Sequence, residues 1–118
     1  MDETVERLPL PPRDFLILVA LTDGVLHGYG LVKAVEQESR GEVRMDPANL
    51  YRALKRMQRD GLVEEAPAPA ADPGAERRRY YRLTDSGREV AGAEAIRLSR
   101  LARSARVRKL IAASEATR

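Results

Sequence analysis

Asn49, Arg52, Lys55 and Arg56 lie close together at helical spacing, and each ends in hydrogen-bonding or cationic groups. On a helix, residues three and four apart are neighbours, so these four share one side. Guanidinium, ammonium and amide groups match the major-groove edges of guanine and adenine, which makes base recognition the chemistry on offer. A second basic cluster is Arg77-Arg78-Arg79, with Arg82 just beyond, and a third runs through Arg97, Arg100, Arg103, Arg106, Arg108 and Lys109. Basic clusters on a small domain are the footprint of a polyanion partner; for any single run the alternative is a solvated surface. Catalytic chemistry is poorly supplied. There is no Cys, the only His is His27, and neither a P-loop nor a GxGxxG pattern occurs, so no enzyme activity, cofactor or metal is expected.

The elements that position these groups must come from a chain of 118 residues, which is one domain's worth. With 43% hydrophobic and only 4% aromatic residues, the core is built from Leu, Val, Ile and Ala, a mixture that favours helices. The first residues, Met1 to Arg7, are acidic, and no signal-peptide-like apolar run follows. The longest apolar stretch, Phe15 to Leu21, falls far short of the roughly 20 residues that cross a bilayer. A soluble cytoplasmic protein without membrane contact is expected.

Pro11-Pro12 followed by Phe15, Leu16, Leu18, Val19 and Leu21 predicts a first helix ending near Asp23-Gly24. Leu31, Val32 and Val35 predict a second from Tyr29 to about Arg40, stopped by Gly41. Asp46-Pro47 is a start signal for a third, whose stripe of Leu50, Leu54 and Met57 faces inward and whose end is Asp60-Gly61. The basic residues and Asn49 are thereby left outside. Leu62 to Glu65 and Arg79 to Leu83 predict two strands, the second with Tyr81 and Leu83 on one face and Arg78, Tyr80 and Arg82 on the other. The Pro/Ala-rich stretch from Ala66 to Glu76 is either a mobile hairpin tip or an interdomain linker, and the short remaining chain favours the tip. Thr84-Asp85-Ser86 then opens one long terminal helix to about Ser114. Its apolar residues include Leu98, Leu101, Ala102, Ala105 and Leu110, too broad a set for a helix standing alone in water. A second copy of the chain is the simplest partner for them.

The expected fold is mainly α with a small β-hairpin (α+β). It comprises a winged helix-turn-helix over 1–83, preceded by a flexible N-terminus to about residue 10, and a C-terminal dimerisation helix over 84–118. In that architecture the third helix enters a major groove and the hairpin lies beside it. Leu26-His27-Gly28-Tyr29-Gly30-Leu31, the run Asp46 to Met57 followed by Gly61-Leu62-Val63, and Arg78-Arg79-Tyr80-Tyr81-Arg82-Leu83-Thr84-Asp85-Ser86-Gly87 resemble, in order and spacing, the signature elements of PadR-family regulators. The resemblance spans roughly residues 12 to 90. Two departures are Gly30, where an acidic residue is usual, and Asn49, where small residues are common.

The resemblance implies a dimeric repressor of the family's short form, with one C-terminal helix and an inverted-repeat operator in double-stranded DNA. It also implies possible release by a small hydrophobic effector. The DNA-binding residues expected are Tyr29, Asn49, Tyr51, Arg52, Lys55, Arg56, Arg77, Arg78 and Arg79. Tyr51 is open between a core role and, by resemblance, a phosphate contact, whereas backbone amides near Tyr29 suit a phosphate at a helix start. His27 is expected to be structural, and Gly28 to serve a backbone conformation at positive φ. The competing function is a winged helix that binds only protein.

Overall fold

The computed structural model describes residues 6–70 and 78–117. Helix α1 (Pro12–Ala20) begins at its proline pair, and α2 (Gly28–Glu38) follows a two-residue strand, β1 (Leu26–His27). Helix α3 (Pro47–Arg59) opens as the Asp46-Pro47 signal requires, with the Asp46 carboxylate accepting the Asn49 N–H at 2.8 Å. Strands β2 (Val63–Ala66) and β3 (Tyr80–Leu83) pair antiparallel, so the stretch between them closes a hairpin and is no interdomain linker. Residues 71–77 of that stretch, Arg77 among them, lie outside the described residues, as do residues 1–5 of the N-terminus.

Apolar periodicity carries through to packing. Ile17 and Leu18 from α1 with Leu21 at its C-cap, Leu31 and Val35 from α2, and Leu50, Leu54 and Met57 from α3 are buried in one cluster, which Leu62, Val63, Tyr81 and Leu83 close from the sheet side and Val90 from the helix that follows it. Sheet order is β1-β3-β2, with Leu26 opposite Tyr81 and His27 opposite Tyr80. β1 turns the expected two-stranded hairpin into three strands with β3 at the centre. It also explains Tyr80, which alternation assigned to the outer face with Arg78 and Arg82. It does lie opposite Tyr81, but the His27 ring covers it edge-on at 5.4 Å and it is buried.

Two further expectations are corrected. The N-terminal segment is not free up to residue 10: Arg7 donates to the Asp60 carbonyl at 3.0 Å, and the Leu10 N–H donates to Glu94 at 2.8 Å. The terminal helix is not continuous. Helix α4 (Asp85–Ala102) ends, Arg103 and Ser104 intervene, and α5 (Ala105–Ala116) starts with the Ser104 hydroxyl accepting the Val107 N–H at 3.2 Å. At its own start α4 runs hard against the sheet. The Thr84 hydroxyl accepts the Gly87 N–H, and a Cβ at Gly87 would lie 1.9 Å from the Leu62 carbonyl oxygen, so only glycine fits there. No helix of the described residues is long and apolar enough to cross a membrane.

Candidate nucleic-acid interface

Helix α3 forms the middle of the site. Its apolar stripe is committed to the core, so the side chains it turns outward are Asn49, Tyr51, Arg52, Lys55 and Arg59. Each edge of this helix meets another basic element. On one side, Asn49, Arg52 and Arg56 share a cleft of about 330 Å3 with Pro11, Arg13 and Asp14 at the start of α1. On the other, Tyr51, Lys55, Gln58 and Arg59 face Glu65, Arg79 and Tyr81 of the hairpin across a second cleft of about 530 Å3. Tyr51 also forms a wall of a third, about 450 Å3, with His27, Gly28, Tyr29, Arg78 and Arg79. The surface thus runs from the start of α1 across α3 to the wing.

Local chemistry explains the pose of each group. His27 is the N-cap of α2, its Nδ1 accepting the Gly30 N–H at 3.2 Å, which supports a structural role. That cap leaves Tyr29 on the first turn, 67% exposed, its ring 5.3 Å beneath the Lys33 ammonium. Gly28 has no positive φ, contrary to expectation; it matters for space. A Cβ there would stand 2.6 Å from the Tyr51 hydroxyl. Tyr51 is accordingly no core residue but a half-exposed phenol lying over the start of α2.

Arg56 differs from its neighbours on α3. Its guanidinium makes two 2.9 Å hydrogen bonds to the carboxylate of buried Asp14, a fork-to-fork pairing that turns it toward α1. Burial pushes the Asp14 carboxyl above its usual range, against the opposing pull of Arg56. Asn49 lies between Asp46 and Arg52: its Nδ2 donates to Asp46 Oδ2 at 2.8 Å, and its Oδ1 accepts from Arg52 Nη2. On the wing, Arg79 sits 3.7 Å from Glu65 and Arg82 3.0 Å from Glu64, exposed pairs of little energetic weight.

The structure therefore brings Tyr29, Asn49, Tyr51, Arg52, Lys55, Arg78 and Arg79 to one surface, with Arg56 at its α1 edge, paired to Asp14 yet still 43% exposed in the shared cleft. Arg13 and Gln58 join that surface without having been singled out. Gln58 carries no charge to mark it, and Arg13 reaches the site only because α1 packs beside α3. The five apolar positions expected at a dimer interface, Leu98, Leu101, Ala102, Ala105 and Leu110, are all exposed along α4 and α5. Of the C-terminal arginines, Arg97 is tied to Glu94, whose carboxyl is held below the usual range chiefly by that hydrogen bond.

Residues 17–93 match the family described as Transcriptional regulator PadR-like family. A 37.1 kDa protein of transposon TN4556 from Streptomyces fradiae is 42% identical over 86 residues, 73% of this chain. This chain spans only 23% of that relative's length. A PadR family transcription regulator from Clostridium difficile has a similar structure, with TM-score 0.64 and 26% identity over 77% of this chain and 91% of its own. A PadR-like regulator from Bacillus cereus gives TM-score 0.66 at 24% identity, over 83% and 89% of the two chains. Bacillus subtilis PadR, solved in complex with operator DNA, gives 0.61 at 23% identity, over 75% of this chain and 49% of its own. The last two are likenesses of fold.

Proposed function

The chain belongs to the PadR-like family of transcriptional regulators, and from that premise we propose that it is a repressor that docks as a homodimer on an inverted-repeat operator in double-stranded DNA. Helix α3 enters the major groove, where Arg52 and Lys55 meet base edges. Tyr29, Tyr51, Arg78 and Arg79 hold the flanking phosphates. One observation carries this reading: the outward groups of α3 are continuous with basic clefts on both of its edges. Phosphate contacts on two sides of a groove-reading helix fix its register. Arg56, bound to Asp14, serves chiefly to fix α3 against α1.

Dimerisation through α4 and α5 would cover Leu98, Leu101, Ala102, Ala105 and Leu110 and set two α3 helices about one turn of DNA apart. A cleft of about 360 Å3 beside this arm, walled mainly by Leu10, Phe15, Leu16, Val43 and Leu98 with Glu42, Glu94 and Arg97 among its polar groups, suits a small, largely hydrophobic effector. Such a regulator works in the cytoplasm.

The test is a fluorescence-anisotropy titration against the protein's own promoter duplex and a scrambled one, at two salt concentrations. Promoter-preferring binding is expected, with a log–log salt slope of about −0.9 per phosphate contact. Arg52→Ala should weaken promoter binding more than scrambled binding, by about tenfold, whereas Arg78→Ala should weaken both alike. Equal losses from the two substitutions would defeat this division of roles. Salt-insensitive binding, or none to either duplex, would favour a protein partner.

A further inference from the structure

We propose that Asn49 is a positioning residue: it does not read a base itself but holds the Arg52 guanidinium in a fixed pose, and is itself fixed by Asp46. This rests on the reading of α3 as the helix that enters the groove. Asp46 uses its two carboxylate oxygens separately. Oδ1 caps the helix by accepting the Asn49 N–H, and Oδ2 accepts the Asn49 side-chain Nδ2, each at 2.8 Å. The Asn49 Oδ1 in turn accepts from Arg52 Nη2. The order of the three is set by chemistry. An ionised carboxylate can only accept and a guanidinium can only donate, so the amide between them has a single orientation that satisfies both.

Two consequences follow for recognition. An asparagine that reads adenine presents its amide oxygen and nitrogen together to N6 and N7. Here each of those atoms is engaged on the helix itself. Arg52, by contrast, keeps the rest of its forked donor set while losing the rotamer freedom of a long side chain. A guanidinium held before DNA arrives has less entropy to lose on pairing with guanine O6 and N7. The relay Asp46–Asn49–Arg52 spans less than two turns at the N-terminal end of α3, the end that points into a groove in helix-turn-helix docking. Asp46 thus has two separable jobs, capping and orienting.

The experiment selects preferred sites from a library of randomised duplexes, using the full chain and its Arg52→Ala, Asn49→Ala and Asp46→Asn variants, with thermal melts on each. Asp46→Asn keeps an oxygen for the cap but sets a second amide donor against Asn49 Nδ2, so it breaks the relay and spares the helix start. The expected result is that all three variants lose discrimination at the same base pair, Arg52→Ala by about tenfold and the other two by about threefold or more. The Asn49→Ala/Arg52→Ala double variant should be no worse than Arg52→Ala alone, and Tm should stay within about 5 °C throughout. Loss at a different base pair for Asn49→Ala, adding to that of Arg52→Ala, would make Asn49 a direct reader and overturn the proposal. Unchanged discrimination in Asn49→Ala and Asp46→Asn would overturn it as well. A native chain that enriches no sequence would remove the operator-binding reading itself, and the positioning role with it, before any variant is compared.

Discussion

At Gly28 a single missing methyl group decides where Tyr51 can lie. The Tyr51 phenol occupies the space in which a Cβ would sit, 2.6 Å from its oxygen and 3.0 Å from the ring carbon that bears it. Because the obstacle is the far end of a mobile side chain, Gly28→Ala should leave the fold intact and displace Tyr51. If the hydroxyl holds a phosphate, its loss removes one hydrogen bond, worth about 1 kcal/mol or roughly fivefold in affinity. Gly28→Ala and Tyr51→Phe should then each weaken promoter and scrambled duplex alike by about that factor, and the double variant no further. A drop of Tm by more than about 5 °C for Gly28→Ala would instead make Gly28 a folding residue. Arg56 poses the converse case. Removing it strands the Asp14 carboxyl, whose side chain is 12% exposed, while Arg56 itself is 43% exposed and so partly screened. Arg56→Ala should therefore cost about 2 kcal/mol at neutral pH, less than for a fully buried pair. Burial already raises the Asp14 pKa, and without Arg56 it rises further, so the folded variant takes up a proton before the unfolded chain does. The stability gap between native protein and variant should narrow as pH falls from 7 toward about 4. Urea unfolding at several pH values checks this, and a constant gap would exclude a charge-based cause.

The same C-terminal motif closes two helices with different residues. After α3, the Leu62 N–H donates to Met57 O at 2.9 Å and the Gly61 N–H to Gln58 O at 3.1 Å, with Gly61 at φ 76°. After α2, the Gly41 N–H donates to Glu36 O at 2.7 Å and the Arg40 N–H to Gln37 O at 3.1 Å, which places Arg40, at φ 54°, where α3 has its glycine. An L side chain in that conformation is strained, so Arg40→Gly should stabilise the protein by about 0.5–1 kcal/mol and raise Tm by a few degrees in a thermal melt. An unchanged or lowered Tm would show that the greater freedom of glycine in the unfolded chain outweighs the strain relieved. These ends also show what a sequence can reveal. The bounds of α3 are legible because Asp46, Pro47 and Gly61 act on their own neighbours. The end of α2 comes two residues before the expected Arg40, because the left-handed turn already begins at Arg40, one position ahead of Gly41, which also has positive φ. Strand β1 exists only by pairing with β3, far along the chain, and no local pattern announces two residues. The break after Ala102 is hidden for another reason: apolar residues continue across it, and neither Gly nor Pro occurs after Gly92. Ser104 is the sole local signal. In the site, the outward stripe of α3 was legible from periodicity, but the pairing of Arg56 depends on Asp14, 42 residues away.

For the molecule as a whole, the outstanding feature is an arm with no core of its own. No residue of α5 is buried, and along α4 and α5 Ile96, Leu98, Leu101, Leu110 and Ile111 are exposed. A helix of 12 residues is marginal in water by itself, and its stability must come from apolar contact. The base of the arm is already fixed, because buried Glu94 ties α4 to the Leu10 N–H and to Arg97. That tie anchors α4, the part of the arm before the break at Arg103, to the N-terminal segment. If a second copy supplies that contact, folding and association are coupled, and Tm should rise with protein concentration. Leu110→Asp would place a charge in the apolar face of α5 without touching the core. It should give a monomer in sedimentation equilibrium, remove the concentration dependence of Tm and lower the helical signal as α5 frays. Promoter affinity should fall by about 100-fold or more, because each half-site is then bound alone, whereas scrambled-duplex affinity should change much less. A native chain that sediments as a monomer, or a Leu110→Asp variant that remains dimeric with full promoter affinity, would mean that the arm's apolar face answers to some other partner.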